Sequence, residues 1–306
     1  MQSACIGKLM ELAEHDERVL YLTADSGEGG LDRIFRMNFP KRSLNFGIAE
    51  ANMVAAAAGL ATADKIPFVY TAAPFLVYRA FEFIRNDICL QNLNVKIIGT
   101  GSGLTVSSLG PTHHTTEDIA LLRALPNLKI LSPATPAQVS SCMQEAYEHN
   151  GPVYIRLGMN KEKEYFDENY QHEKNKNEVL QNGEDVIIFT TGSILSEVME
   201  AADILKTRNI IPTVVNVHTI KPFDIEGTIK LAQNSSLLVT VEEHNVYGGL
   251  GGILAEVMVE HGVFKKLKRI GLLDKFSVGY GTLSEVRKEN NLSAEQIAEQ
   301  IMQELK

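Results

Sequence analysis

Three cysteines in 306 residues, at 5, 89 and 142, are few and scattered, and no C-x-x-C pair is present. That excludes a disulfide framework or a structural zinc site and points to a reducing compartment, expected to be the cytoplasm. A run of about 20 apolar residues, the length a helix needs to cross a bilayer, is also missing. The uncharged stretch from Ala51 to Ala63 is too short, and its small side chains suit packing against protein. Nor is there a positive surplus: 29 Lys and Arg stand against 38 Asp and Glu, a net charge of −9, so nucleic acid has no electrostatic attraction to the chain. The N-terminal MQSACIGKLMELAEHDERVL lacks the basic start and apolar core of a secretion signal and reads as an amphipathic helix.

What is present is an ordinary globular composition, 44% hydrophobic and 22% charged, at about twice the length of a typical domain. In KEKEYFDENYQHEKNKNE, residues 161–178, charge dominates and no apolar period survives, so this is expected to be a solvated connector. The expected organisation is a domain over 1–160, a charged linker over 161–180 and a second domain over 181–306. Apolar strand-like runs such as Val19–Thr23, Val95–Thr100, Val153–Leu157 and Leu237–Glu242 alternate with helical patterns of ten or more residues. That alternation predicts an α/β fold: two three-layer α/β/α domains with mainly parallel sheets, whose ligands sit beyond the carboxyl ends of the strands.

Two segments carry candidate chemistry. From Gly47 to Ala63 the only charged side chain is Glu50, in an alanine-rich helix expected to be packed on all sides. A buried carboxylate there needs a partner, unless it merely settles against the helix dipole. The second segment is the glycine-rich loop GTGSGLTVSSLGPTHH, residues 99–114, between a strand and a helix. Its glycines permit close backbone approach to a ligand, Thr115 with Asp118 suggests a capping box, and His113 is placed before a helix start. His113 can bond a substrate hydroxyl or carbonyl, or equally a loop backbone. Its spacing to His114, Glu117 and Asp118 is not a zinc pattern.

GIAEANMVAAAAGLA, PFLVYRAFEFIRNDICLQNLNVKII and GPTHHTTEDIALLRALPNLKILSPATPAQ together resemble the pyrimidine-binding domain of transketolases. GPVYIR, TIKPFD and EEHNVYGGLGG are similar to the end of that domain and to the transketolase C-terminal domain. The resemblance covers nearly the whole chain and is greatest to the form in which transketolase is split into two chains. It implies a transferase of carbohydrate metabolism that moves a two-carbon ketol unit from a ketose to an aldose, in the manner of the pentose phosphate enzymes. It implies thiamine diphosphate with Mg2+ as cofactors, and Glu50 as the carboxylate that bonds the pyrimidine ring nitrogen and relays its proton. By the same resemblance Phe75 stacks on the aminopyrimidine, Tyr78 helps form the pocket, His113 contacts substrate hydroxyls, Ser26 lies near the substrate phosphate, and Arg156 holds the substrate's anionic end.

The sequence lacks the G-D-G…N segment with which thiamine enzymes hold magnesium and diphosphate. The resemblance therefore implies an N-terminal partner subunit that supplies it, in an assembly of two copies of each chain (α2β2). Four positions depart from ordinary transketolases. Ala72 replaces an aromatic, Gly101 a histidine and Leu109 an acid, while Glu28 adds an acid near the phosphate end, so a modified or branched sugar is expected. Other readings are the β-subunit of the first component of a 2-oxo acid dehydrogenase, a deoxyxylulose-phosphate synthase, and an inert partner subunit that keeps only the fold.

Overall fold

The computed structural model describes residues 1–25, 30–160, 162–167 and 169–306, the side chains of 30–32 excepted. Six strands of the first half form one parallel sheet: β1 (Val19–Thr23), β2 (Ser43–Asn45), β3 (Ile66–Ala72), β4 (Lys96–Thr100), β5 (Lys129–Leu131) and β6 (Val153–Leu157). The second half contributes β7 (Glu178–Gln181), β8 (Val186–Thr190), β9 (Pro212–Asn216), β10 (Thr219–Lys221), β11 (Leu237–Asn245) and β12 (Lys266–Leu272). The sheets run β10-β5-β6-β4-β3-β1-β2 and β12-β11-β8-β9-β7. Only β10 and β7 are antiparallel to their neighbours. Every residue of β1, β4, β6, β8 and β9 is buried, because helices cover both faces of the sheets. This is the expected fold class.

The first domain's helices are α1 (Gln2–His15), α2 (Gly30–Asn38), α3 (Glu50–Thr62), α4 (Phe81–Phe83), α5 (Asp118–Arg123) and α6 (Pro136–Glu148). The second domain's are α7 (Leu195–Lys206), α8 (Ile225–Gln233), α9 (Leu250–Glu260), α10 (Leu283–Glu289) and α11 (Ala294–Glu304). Helix α1 buries Cys5, Ile6, Leu9, Leu12 and Ala13, a stripe at helical spacing. Helix α3 is not packed on all sides. Met53, Val54, Ala57 and Ala58 face the core, but Asn52 and Gly59 are exposed, and a Cβ on Gly59 would meet only open space.

The segment from Phe75 to Cys89, expected to be one helix, contains π-helical turns at Phe75–Arg79 and Ile84–Cys89 on either side of α4. Such turns recur at functional sites. The YGGLGG segment packs within this chain. Glu242 accepts from the Leu250 and Gly251 amides at 2.7 and 2.8 Å and caps α9, and a Cβ on Gly249 would fall 2.1 Å from that carboxylate.

The two halves are joined by a shared sheet as well as by the connector. Strand β10 leaves the second domain and pairs with β5, with Thr219 opposite Leu131 and Lys221 opposite Ile130, closing an edge that would otherwise be open. The connector is docked rather than freely solvated. Ser141 Oγ lies 2.7 Å from His172 Nδ1, and Glu145 lies 2.5 Å from its Nε2. Lys129 forms a second, close ion pair with Glu145. Counting charge missed this, because the anchoring polar groups reside on α6 and β5.

Burial alone would push the Glu145 carboxyl up, but His172 and Lys129 outweigh it and bring it from an ordinary 4.5 down to about 2. A depressed carboxylate contributes stability that is fully present above its unfolded value and disappears as pH falls through the folded one. Urea titrations followed by circular dichroism should therefore show stability falling between about pH 4.5 and 2, and Glu145→Gln should flatten that slope. An unchanged slope would assign the acid sensitivity elsewhere.

Candidate functional site

Glu50 opens α3 at the C-terminal side of the first sheet, and its side chain is 2% exposed. Its partner is Arg79, whose Nη1 lies 2.6 Å from Glu50 Oε2 while the arginine itself stays half exposed. The same guanidinium sits 5.1 Å from the centre of the Phe75 ring. Phe75 in turn meets His113 edge to face, at 5.1 Å and 80°. Of the residues picked out in the sequence, the structure thus brings Glu50, Phe75 and His113 into one cluster. The π-helical turn that starts at Phe75 also ends at Arg79, so one local irregularity supplies both the aromatic face and the cation.

The glycine-rich loop wraps this cluster. Gly101 and Gly110 adopt φ of 77° and 74°, where a side chain is strained. A Cβ at Gly101 would meet Val106 at 2.5 Å and Met159 Sδ at 3.8 Å, and one at Gly110 would meet the Tyr280 ring at 2.6 Å. Leu109 ends a short turn at Ser107–Leu109 and is half exposed. Tyr78 lies beside the cluster, its hydroxyl donating to Glu117 at 2.5 Å. Burial first, then Asp118 and Glu117, push that phenol above its ordinary range. His114 is 5% exposed and neither ring nitrogen has a protein partner. Burial lowers its pKa despite the opposing Glu243 charge. Ser26 and Glu28 lie outside the described residues.

Arg156, expected to hold an anionic substrate end, lies outside this cluster. Its side chain is 1% exposed, and Nε donates to both Asp118 oxygens at 3.2 and 2.9 Å. Nη2 donates to the carbonyls of Thr115 and Glu243 at 3.2 and 3.0 Å. Asp118 also accepts from Tyr154 at 2.8 Å, so Thr115 and Asp118 form no capping box; Glu117 is the N-cap, and its side chain makes no bond to the helix amides. Helix α5 begins five positions after His113. The residues that sequence reasoning missed are Arg79, Glu117, Glu243 and Tyr280. Arg79, four positions after Phe75, was within reach of helical spacing. Glu243 and Tyr280 come from the second domain, and nothing local ties them to the loop.

Comparison with known proteins gives the same outline. Residues 1–161 match a family model described as the transketolase pyrimidine-binding domain, and residues 175–297 match the transketolase C-terminal domain. A Methanocaldococcus jannaschii chain provisionally named a transketolase C-terminal section is 40% identical, over 97% of this chain and 94% of its own length. One of the subunits of an apulose-4-phosphate transketolase from Actinobacillus succinogenes is 36% identical, over 91% of this chain and 89% of its own. A solved structure described as a split-gene transketolase, inactive β4 tetramer, is similar with a TM-score of 0.91 and 37% identity, covering 99% of this chain and 97% of that one.

Removing one member of a buried charge pair leaves the other uncompensated, at a cost of about 3 to 5 kcal/mol. Arg156→Met should therefore lower unfolding stability by that order in urea titrations. Unchanged stability together with a raised KM would instead assign Arg156 to the substrate.

Proposed function

The chain belongs to the transketolase family, and from that premise we propose that it is the C-terminal subunit of a two-chain, thiamine-diphosphate-dependent transketolase. It would transfer a two-carbon ketol unit from a ketose to an aldose acceptor. The observation that carries this reading is the buried carboxylate of Glu50 joined through Arg79 to the Phe75 ring, within a chain that split transketolase subunits match almost end to end. Those residues fit an aminopyrimidine. A carboxylate with one half-exposed partner can take a ring nitrogen instead, and an adjacent aromatic face can stack on the ring.

Bound thiamine diphosphate supplies an electron sink for the two-carbon unit. The protein's contribution is positional and acid–base. Glu50 bonds the pyrimidine nitrogen and holds or releases a proton there, Phe75 fixes the ring plane, and Tyr78 supports the pocket through Glu117. His113, edge-on to Phe75, offers its imidazole to a substrate hydroxyl or carbonyl. The G-D-G…N segment is absent from the sequence, so diphosphate and Mg2+ fall to an N-terminal partner subunit. The exposed side of α3 around Asn52 and Gly59 suits close approach by a second protomer, in an α2β2 assembly. The solved relative described as an inactive β4 tetramer supports the view that β chains alone do not suffice. Among the described residues the three buried cysteines form no disulfide, which suits the cytoplasm, and no helix is long and apolar enough to cross a membrane.

Substrate choice turns on the loop mouth. Gly101, Val106, Leu109 and Met159 offer no charged side chain there, and Arg156 is engaged in the core. A sugar hydroxyl buried against Leu109 would lose a partner, at roughly 1 to 3 kcal/mol. An apolar or branched substituent would lose nothing. The relative named for apulose-4-phosphate supports a non-standard sugar for this chain as well.

Calorimetry should find no tight, magnesium-dependent uptake of thiamine diphosphate by the chain alone. Uptake should appear with its co-encoded neighbour, in a complex whose light-scattering mass corresponds to two copies of each. Tight binding by the single chain would reject the split-site reading. Glu50→Gln should nearly abolish turnover without preventing assembly, since an amide cannot relay the proton. Leu109→Asp should raise kcat/KM for standard phosphorylated ketoses; no gain, with ordinary rates in the unaltered enzyme, would indicate conventional sugar specificity.

A further inference from the structure

Arg79 occupies both halves of the proposed aminopyrimidine site at once. One guanidinium nitrogen donates to Glu50 at 2.6 Å, and the guanidinium carbon lies 5.1 Å from the centre of the Phe75 ring. A guanidinium is planar, donates N–H to a carboxylate and packs on aromatic faces. An aminopyrimidine stacked on Phe75 is likewise planar, and its ring nitrogen bonds Glu50 through a proton shared with the carboxyl. The burial is asymmetric: Glu50 is 2% exposed, whereas Arg79 is 49% exposed. The arginine can therefore rotate into water at little cost, but the carboxylate cannot be left alone without a large desolvation penalty.

We propose that Arg79 is a positioning residue that acts as an internal stand-in for the aminopyrimidine. It holds Glu50 and Phe75 in the geometry the ring requires and yields its place when the ring arrives. This rests on the cofactor reading given above. The exchange keeps Glu50 partnered, because as the planar guanidinium leaves, the planar ring nitrogen shares with the carboxyl a proton taken up from solvent. The arginine then stabilises the protein before cofactor entry and competes with entry itself. A purely structural arginine would do the first and not the second. A cation serving only the substrate would do neither.

The test uses the complex of the full chain with its partner, with thiamine diphosphate and Mg2+ added. Melting temperature and cofactor association are measured by circular dichroism and stopped flow. Arg79→Met should melt lower than the unaltered complex without cofactor, yet bind cofactor roughly tenfold faster and tighter, with a larger rise in melting temperature on binding. Arg79→Lys keeps the charge without the planar stack, so it should recover most of the lost stability and bind at an intermediate rate. If Arg79→Met binds no faster and no tighter than the unaltered complex, or melts unchanged without cofactor, the stand-in role is wrong. If Arg79→Met does not assemble, the comparison of Arg79→Lys with the unaltered complex decides, and equal association rates overturn the proposal. Failure of the unaltered complex to bind thiamine diphosphate would instead reject the cofactor reading, and the role of Arg79 with it.

Discussion

The ion pair of Arg156 with Asp118, both at 1% exposure or less, is the interaction on which the arrangement of the site depends. Arg156 stands on a central strand of the first sheet, Asp118 starts the helix after the glycine-rich loop, and Nη2 of the guanidinium reaches the carbonyls of Thr115 and Glu243. One side chain therefore ties a strand, the end of the loop and the second domain together. Glu243 continues the network, accepting from Ser193 at 3.1 Å and from Arg287 at 2.6 Å. Burying charge is costly, and such a network persists only if every member is satisfied. A consequence is that the loop carrying His113 can take few positions.

Gly103 shows how closely that constraint is drawn. Its φ is 63°, its backbone pairs with Thr115 in both directions at 2.9 Å, and a Cβ would lie 2.6 Å from the Glu243 carboxylate. Only glycine meets the conformational and the contact requirement together. The loop is thus pinned at one end by backbone against the second domain and rests at Gly110 against the Tyr280 ring. His113 is held on Phe75 between those points. The second domain contributes no residue of the Glu50 cluster, yet it fixes the loop that completes it.

The Glu50 cluster obeys a different logic. There the charges are shared between the interior and water, with a buried carboxylate and a half-exposed guanidinium, so the pair can be exchanged whereas the Arg156 pair cannot. Two arginines of one small domain, each paired to a carboxylate, are separated in role by exposure alone. This is a physical distinction that residue type does not express.

Much was legible in the chain itself. Alternating apolar runs and helical periods determined the parallel α/β architecture, because each sheet strand buried on both faces must be almost wholly apolar. The isolation of Glu50 in an alanine-rich helix determined that it would be buried and need a partner, since an unpaired carboxylate cannot be held there cheaply. The glycines of the loop announced close approach. Tertiary structure decided the partners. It gave Glu50 to Arg79 through a π-helical turn, gave Arg156 to Asp118, docked the charged connector through His172, and sent β10 across to the first sheet. Those outcomes depend on groups brought together from distant parts of the chain, whose mutual desolvation and geometry no local pattern of residues records.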